Sequence, residues 1–464
     1  MKIKLESTLP QGTLHRSIHL LRTALEELGA KVELMEVERL AVMINEAMSV
    51  HARSFHTPEH VFDLVDPQKP HTTLAALFHD LVYYNVDQGF TPQITEAIGS
   101  SIEIRGSELW LPPPGDARDP ALASCLIVFG LQAGQKMSPM AGMNEFLSAL
   151  VMNRKLGGIV RMEDLLLVTA YIEATIPFRT PDATGLSPAE RLAQRLQSAG
   201  HEAGLDLPEA RIHQAVREAV AFANRDVANF AEAEVTRFLD NTWKLLPESN
   251  PSLRTQGIYT IGNYRVALQK MEGFLQSLDP MVIFARYRGV PPENEFEEMQ
   301  RRASRNVTMA RDYLGIKLFS AAVLEGLAQI SGGDAPVSLF MGDIGAQVEG
   351  NRLQDHLPEH IPAPGLRLDE KLHDLLAFGR ASASSFDLQN SPLSLFLYLH
   401  LGTEGFRALL GIARSMFAGT VSPSAFLDAL PGDMIAAVAE GCARMAFTRS
   451  EPLQRYAASR RRES

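Results

Sequence analysis

Histidine is concentrated near the start of the sequence, where seven of the thirteen histidines lie within the first 79 residues. The sharpest group joins His56 and His60 to the adjacent pair His79 and Asp80, nineteen residues after His60. Two imidazoles and a carboxylate on two antiparallel helices can meet at one cation, since adjacent residues differ by only about 100° around a helix. Neutral imidazole and carboxylate suit divalent Mn, Fe, Co, Ni and Zn, and suit Mg less well. We therefore expect a divalent metal site here.

An ordinary structural role is open for each of these residues. His79 alone in a helix could be a hydrogen-bonded histidine of the core, with Asp80 as its partner or as a solvent-facing residue. His51 and His71 are interpreted as bystanders. Between the structural role and the metal site, we favour the metal site.

Two helices must bring these side chains together. Residues 57–59, Thr-Pro-Glu, have the form of a helix start, with Thr as the N-cap, Pro at the first helical position and an acid in the first turn. His60 is therefore expected within that turn. After a proline-bounded break at 67–70, residues 72–84 are nearly all apolar and predict a buried helix that includes the His-Asp pair. Polar residues inside such a helix must be paired or bound.

Amphipathic helical patterns predominate along the rest of the chain, which predicts an all-α fold. The longest predicted helix covers about residues 208–245. Strand signals are confined to two short and weak candidates at 2–5 and 31–34. The proline-rich stretch 104–119 is expected to be a loop.

The length of the chain favours two or three domains. A proline-containing boundary at 247–251 predicts a histidine-bearing domain of residues 1–246, with an insertion at about 100–160. Residues 247–464 are predicted to form a second helical domain without an assigned role. That domain ends in an arginine-rich stretch, which we expect to be a solvated tail or a contact with a partner.

The second domain also carries a His-Asp pair, His373 and Asp374. The helix predicted around this pair is charged on one side, as a surface helix would be. We interpret this second pair as a coincidence.

The composition limits the classes of function. Of 464 residues, 45% are hydrophobic and 21% are charged, which is typical of a globular protein with a substantial core. Two cysteines are too few for a disulfide framework or a thiolate cage, so a metal must use His and carboxylates. The net charge of −11 disfavours nucleic acid and anionic membranes as partners. With neither a long apolar run nor a signal-peptide pattern at the start, we expect a cytoplasmic protein with small-molecule or protein partners.

The spacing of the histidines and aspartates resembles a known superfamily. His60, followed by His79-Asp80 within Leu-Ala-Ala-Leu-Phe-His-Asp-Leu-Val-Tyr, resembles the H…HD…D pattern of the HD-domain superfamily of metal-dependent phosphohydrolases, which have an all-helical core. The run from Arg53 to His60, Arg-x-aromatic-His-x-x-x-His, is similar to a group of bacterial predicted HD phosphohydrolases. Its aromatic-His-x-x-x-His part is also similar to cyclic-nucleotide phosphodiesterases. The resemblance covers about residues 35–245.

The resemblance implies a set of metal ligands. Its pattern needs a distal aspartate, for which we choose Asp226, predicted to lie mid-helix among apolar positions. The implied ligands of the divalent cation (Mn, Fe, Zn, Ni, Co or Mg) are then His60, His79, Asp80 and Asp226. The resemblance also implies a catalytic role for Asp80. His56 would stand where the phosphodiesterases keep a proton-donating histidine. Because no further histidines follow Asp80 closely, we expect one ion, or a weak second one.

Three arginines are candidates for holding the substrate. Arg53 and Arg225 carry guanidinium groups whose fork matches phosphate oxygens. Arg179 could take the place of a basic residue that related chains carry near this point. The implied activity is hydrolysis of a phosphate mono- or diester of a nucleotide-like molecule, by metal-activated water, with His56 protonating the leaving oxygen.

Two other classes of function stay open. One is a metal-bearing HD-type regulatory or binding protein without turnover, whose C-terminal half contacts a protein partner or a second copy of the chain. The other is a redox enzyme, since some HD-like sites hold two irons, and the lack of further histidines counts against it.

Overall fold

The computed structural model of this protein describes residues 12–113, 119–255, 257–342 and 350–463. The chain is 67% helical, and the described ranges hold a single two-stranded sheet, so the predicted all-α class is confirmed. The chain forms two compact units. The first takes in residues up to Ala228 together with Asp279–Arg301, and the second takes in the remainder. The cut predicted after residue 246 lies within the second unit, and the roles assigned on either side of it stay predictions.

The first unit is a helical domain with one small hairpin. Along the chain its elements are α1 (Thr13–Glu27), α2 (Leu34–Met48), α3 (Pro58–Leu64), α4 (Pro70–Phe78), α5 (Tyr84–Asp87), α6 (Pro92–Ile98), β1 (Glu103–Arg105), β2 (Glu108–Trp110), α7 (Pro120–Phe129), α8 (Met143–Leu156), α9 (Met162–Ala174), α10 (Pro188–Glu202) and α11 (Glu209–Asp226).

Helix α9 lies at the centre of the first unit. Every residue from Asp164 to Glu173 is buried, and α9 contacts α4, α7, α8, α10 and α11. A helix that is covered on all sides needs apolar residues all round, which explains its nearly continuous apolar sequence. Helix α11 contacts α3 and α4 as well as α9. This arrangement brings the end of α11 close to the segments that carry the clustered histidines.

The first of the two predicted helices is confirmed and the second is shorter than predicted. Helix α3 has Thr57 as its N-cap residue and Pro58 in its first turn, as the sequence indicates. Helix α4 ends at Phe78, so the prediction of a helix through residue 84 is wrong. His79 caps that helix, and Asp80 follows in a turn.

Side chains from elsewhere satisfy the backbone after α4 in place of helical hydrogen bonds. The Val82 N–H donates to Ser148 Oγ (2.9 Å), and the Tyr84 N–H donates to Asn144 Oδ1 (3.2 Å). Both acceptors lie on α8. Because these contacts join residues more than 50 positions apart, the local apolar pattern could not indicate them.

Two further predictions about local structure are wrong. The first part of the expected loop, residues 104–110, lies in the antiparallel hairpin β1–β2 around Gly106, whose φ of +65° suits a tight turn. Residues 31–34 are not a strand, because Leu34 already begins α2. The strand candidate at 2–5 lies outside the described residues.

The second unit is also helical. Its helices are α12 (Val235–Ser249), α13 (Ile261–Ser277), α14 (Glu293–Ser331, of which 293–301 belong to the first unit), α15 (Val337–Met341), α16 (Glu370–Phe378), α17 (Pro392–Phe417), α18 (Pro423–Asp428), α19 (Gly432–Met445) and α20 (Ser450–Glu463).

The helix predicted over 208–245 is divided between α11 and α12, so this prediction is wrong. In the second unit, the Asn306 side chain donates to the carbonyl oxygens of Phe230 (3.0 Å) and Glu232 (2.9 Å). These carbonyls precede α12 and would be engaged in a continuous helix. The break is therefore stabilised by a residue that lies far away in the sequence.

Helix α14 is the one helix in the described part of the chain that is long and apolar enough to cross a membrane. Its most apolar stretch is 78% buried within the structure, which is typical of a core helix in a globular protein. Burial inside the fold accounts for its composition, and the cytoplasmic location stays a prediction.

The arginine-rich end is a helix rather than a solvated tail. Helix α20 contacts α19, and Leu453 and Ala457 are buried there. Arg461 pairs with Glu440 of α19 at 2.7 Å. Several arginines of this stretch therefore serve the contact within the chain.

We expect Gly402 to be required by the kink that interrupts α17. Its φ of 63° and ψ of −176° are a conformation that essentially only glycine adopts, and an added Cβ would lie 2.8 Å from the Arg367 carbonyl oxygen. Gly402→Ala should lower the free energy of unfolding by about 1–3 kcal/mol in urea titration. In the same helix, Gly411 has open space around it, and Gly411→Ala should raise stability by about 1 kcal/mol. Equal effects of the two substitutions would contradict this account of the kink.

Candidate metal centre

Each of the four predicted ligands lies at a helix end. His60 is in the first turn of α3, His79 caps α4, and Asp80 follows it. Asp226 is the last residue of α11, so its predicted mid-helix position is wrong. The contacts of α11 with α3 and α4 bring these ends together.

The side chains of these residues form one compact group. The ligand atoms of His60, His79 and Asp80 all lie within 4.8 Å of one another. His79 Nε2 is 3.1 Å from Asp80 Oδ2 and 3.5 Å from Asp226 Oδ1. His60 Nε2 is 3.0 Å from Asp226 Oδ1 and 3.7 Å from Asp80 Oδ2. Two imidazoles and two carboxylates therefore converge, and their role as metal ligands stays a prediction.

The buried Nε2 atom of His79 bears on whether these four side chains fit a cation. His79 is 1% exposed, and its Nδ1–H donates to the Ala76 carbonyl oxygen (2.9 Å), which leaves a lone pair on Nε2. Within the described chain, that buried Nε2 makes no hydrogen bond of acceptable geometry. A histidine held through its other nitrogen is typical of metal ligation. The donor set, imidazole nitrogen and carboxylate oxygen, fits a divalent transition metal.

The charges in the group are strongly linked. Burial opposes protonation of His79, but the Asp80 and Asp226 carboxylates outweigh it and raise the pKa of His79 well above its usual value. Burial also disfavours the ionised carboxylates, but the histidines outweigh it and lower the pKa of Asp80, and that of Asp226 to about 2. Positive charge is therefore favoured between these two carboxylates, whether a proton or a cation supplies it.

Arg53 has a different place from the one expected of a phosphate ligand. Its guanidinium is fully buried and donates to both Asp87 carboxylate oxygens (2.9 and 2.6 Å). It also donates to the carbonyl oxygens of Asp80 (2.7 Å) and Leu81 (3.4 Å). A phosphate contact would require these bonds to break. Arg53 instead holds the turn that presents Asp80, which makes it a positioning residue.

The other predicted substrate-binding arginines lie in different surroundings. Arg179 donates to both carboxylate oxygens of Glu173, whose side chain is fully buried. Arg195 pairs with the same carboxylate. Arg225 is exposed beside Asp226, with its guanidinium 6.0 Å from the Phe222 ring. Arg225 is therefore the most accessible of the three predicted arginines.

His56 lies beside the group, on the segment that leads into α3. Its ring stacks on Tyr83 with centroids 4.4 Å apart, and it lies 6.0 Å from the His60 ring. His56 is also one of the groups that lower the pKa of Asp80. The stacking orients the imidazole next to the carboxylate without placing it among the four converging side chains.

Sequence reasoning missed Glu145, an acid on α8. Its Oε2 atom is buried and has no hydrogen-bond partner in the described ranges. Burial, with Asp80 and Asp226 as nearby negative charges, raises the pKa of Glu145 to about 7. A single acid among the apolar residues of α8 is the only sequence signal that could have indicated it.

Comparisons with family models, with curated proteins and with solved structures give no match to this chain. The resemblance to the HD-domain superfamily therefore rests on the motif residues alone and stays a prediction.

We expect Arg53 to stabilise the fold through the turn at Asp80. Arg53→Met leaves the nearly buried Asp87 carboxylate and two carbonyls without their donor, so the free energy of unfolding should fall by about 3–5 kcal/mol in urea titration. Adding Asp87→Asn should recover part of this loss, because the buried charge is then removed. The exposed pair of Arg22 and Glu26 offers a control, in which Arg22→Met should change little. A loss from Arg53→Met no larger than that control would refute the positioning role.

The pKa shifts predict a pH dependence for the metal-free protein. Because the folded-state pKa of His79 lies above its unfolded value of 6.5, its contribution is complete below that pH and is lost as the pH rises through the folded value. The Asp226 contribution is present above about pH 4 and is lost as the pH falls towards about 2. In chelator-treated protein, the stability gap between wild type and His79→Gln should therefore narrow from pH 6 to pH 9. A gap that widens over this range would contradict the assigned shift, and His373→Gln provides an exposed control.

Proposed function

We propose that this protein is a metal-dependent hydrolase that cleaves a phosphate mono- or diester of a nucleotide-like molecule. The observation that supports it most is the convergence of the His60, His79 and Asp80 ligand atoms within 4.8 Å of one another. Asp226 adds a second carboxylate to the group. The nucleotide-like substrate and the cytoplasmic location rest on the sequence alone.

In this proposal the four converging side chains hold one divalent cation, from the set Mn, Fe, Zn, Ni, Co and Mg. When bound, such a cation polarises a phosphoryl oxygen and lowers the pKa of a bound water. His79 contributes Nε2, because its Nδ1–H is committed to the Ala76 carbonyl oxygen. Arg53 keeps the Asp80 turn in place through its two carbonyl contacts.

His56 is proposed to protonate the leaving oxygen of the ester. Its ring is oriented by stacking on Tyr83, and the ring centroid lies 6.0 Å from that of His60, one of the proposed ligands. Acid catalysis by a positioned histidine typically contributes about 10²- to 10⁴-fold to the rate. The exposed guanidinium of Arg225, next to Asp226, is the side chain best available to hold a phosphate oxygen.

A second candidate function is a metal-bearing regulatory or binding protein without turnover. One observation favours it: two of the three arginines expected to hold phosphate, Arg53 and Arg179, are tied to carboxylates of the chain. A site with a metal and few substrate contacts would serve a sensor better than a hydrolase.

Metal analysis combined with a substrate screen tests the proposal. Purified protein should contain about one divalent ion per chain and should hydrolyse p-nitrophenyl phosphate, bis-p-nitrophenyl phosphate or one of a panel of nucleotides. Asp80→Ala should lose both the metal and the activity, since it removes a ligand.

Asp374→Ala is the matched control, because Asp374 follows His373 as Asp80 follows His79 but is largely exposed. It should leave metal content and activity unchanged. Full metal retention in Asp80→Ala would refute the ligand assignment. Stoichiometric metal with no turnover on any phosphate compound would favour the sensor.

A further inference from the structure

The second unit contains a partly open cavity that is lined by residues of this unit alone. Residues from α13, α14, α15 and α17 line it, together with the segment before α17. Its volume is about 60 Å³, several times the roughly 10–15 Å³ that a single water needs. Most of its wall is apolar and includes Leu324, Val337, Met341 and Leu393. The cavity can therefore hold a small molecule with an apolar body.

Charged side chains are buried at one wall of this cavity. Lys317, on α14, is 7% exposed, and its Nζ lies 2.9 and 3.2 Å from the two carboxylate oxygens of Asp387. The Trp243 Nε1–H also donates to Asp387 (2.9 Å), and the buried Arg380 lies 3.4 Å from the same carboxylate. Asp387 is thus compensated by several donors, and its lowered pKa agrees, since Lys317 and Arg380 outweigh the effect of burial.

One polar group in the wall makes no well-formed hydrogen bond with the protein. Tyr264 lines the cavity and is only 8% exposed. Its hydroxyl makes no hydrogen bond of good geometry with the described residues. Burial, the negative charge of Asp387 and a weak contact of the hydroxyl with that carboxylate raise the pKa of Tyr264 well above its usual value, so the hydroxyl stays protonated. A buried hydroxyl without a well-formed hydrogen bond destabilises the fold unless a ligand or a water satisfies it.

The serines of the wall, by contrast, are already satisfied. Ser320 Oγ donates to the Ile316 carbonyl oxygen and lies 2.8 Å from Ser394 Oγ. Ser391 Oγ lies 3.0 Å from the Tyr313 hydroxyl. Two donors are left in the cavity wall beside these serines: the Tyr264 hydroxyl and the Lys317 ammonium, which has three N–H groups for two contacts with Asp387.

The charges that line the cavity favour an anion. Two cations, Lys317 and Arg380, contact Asp387, which is the single anionic lining residue among the described ones. A second carboxylate, that of Asp240, lies 3.9 Å from the Arg380 guanidinium.

We propose that this cavity is a binding site for a small organic carboxylate, whose apolar body fills the wall of aliphatic side chains and whose carboxylate accepts hydrogen bonds from the Tyr264 hydroxyl and the Lys317 ammonium. This site lies in the second unit and does not depend on the proposed metal chemistry. A failure of either proposal leaves the other standing.

Binding of simple carboxylates to the full-length protein tests this site. Benzoate and hexanoate are the probes, and benzamide and hexanamide are their uncharged controls, with calorimetry and thermal unfolding as the measurements. We expect saturable binding of at least one of the two acids, with the matching amide at least tenfold weaker. No saturable binding of either acid would overturn the proposal, and equal affinity for acid and amide would overturn the assignment of a carboxylate.

Two variants locate the binding in the cavity. Tyr264→Phe removes a hydroxyl that makes no well-formed hydrogen bond with the protein, so the variant should fold normally and bind the acid about tenfold more weakly. Ala321→Leu places three more carbons in the cavity from the lining of α14 and should abolish binding. Unchanged affinity in both variants would place binding elsewhere and overturn the proposal. Should Ala321→Leu fail to fold, the Tyr264→Phe result decides on its own.

Discussion

The candidate centre depends on one constraint, the burial of His79 between two carboxylates. Its Nδ1–H is committed to the Ala76 carbonyl oxygen, so the lone pair on Nε2 faces Asp80 and Asp226 at 3.1 and 3.5 Å. A lone pair and two carboxylates cannot share a buried space without a positive charge among them. A proton can supply that charge, which is why the pKa of His79 is raised. A divalent cation satisfies all three groups at once, and this is the physical basis of the proposed function.

The surrounding fold serves to keep these atoms in place. Helix α4 must stop at Phe78 so that His79 and Asp80 turn towards the end of α11, and the backbone beyond is held by Ser148 and Asn144 of α8. Arg53 secures the same turn from the other side through its carbonyl contacts. Because each support comes from a different element, the geometry of the centre is a property of the whole first unit rather than of the motif.

The sequence predicted the fold class, and which four side chains lie close together, better than it predicted where the helices end and which residues Arg53 contacts. The helical periodicity indicated an all-α chain, and Pro58 in the first turn marks the start of α3, although the Thr57 side chain accepts no capping hydrogen bond there. The end of α4 and the division between α11 and α12 could not be predicted, because tertiary contacts of Ser148 and Asn306 decide them. The burial of Arg53 was equally inaccessible, since its partner Asp87 is 34 residues away. A local pattern indicates which residues are polar in an apolar setting, whereas their partners depend on packing.

The most direct test of the central claim is an anomalous-difference map from crystals of the protein grown with Mn²⁺ or Zn²⁺, recorded at the absorption edge of the metal. The account predicts one strong peak with the Nε2 atoms of His60 and His79 and a carboxylate oxygen of both Asp80 and Asp226 at about 2.0–2.3 Å. A peak bound by other residues, or crystals that hold stoichiometric metal with no peak at these four side chains, would contradict it.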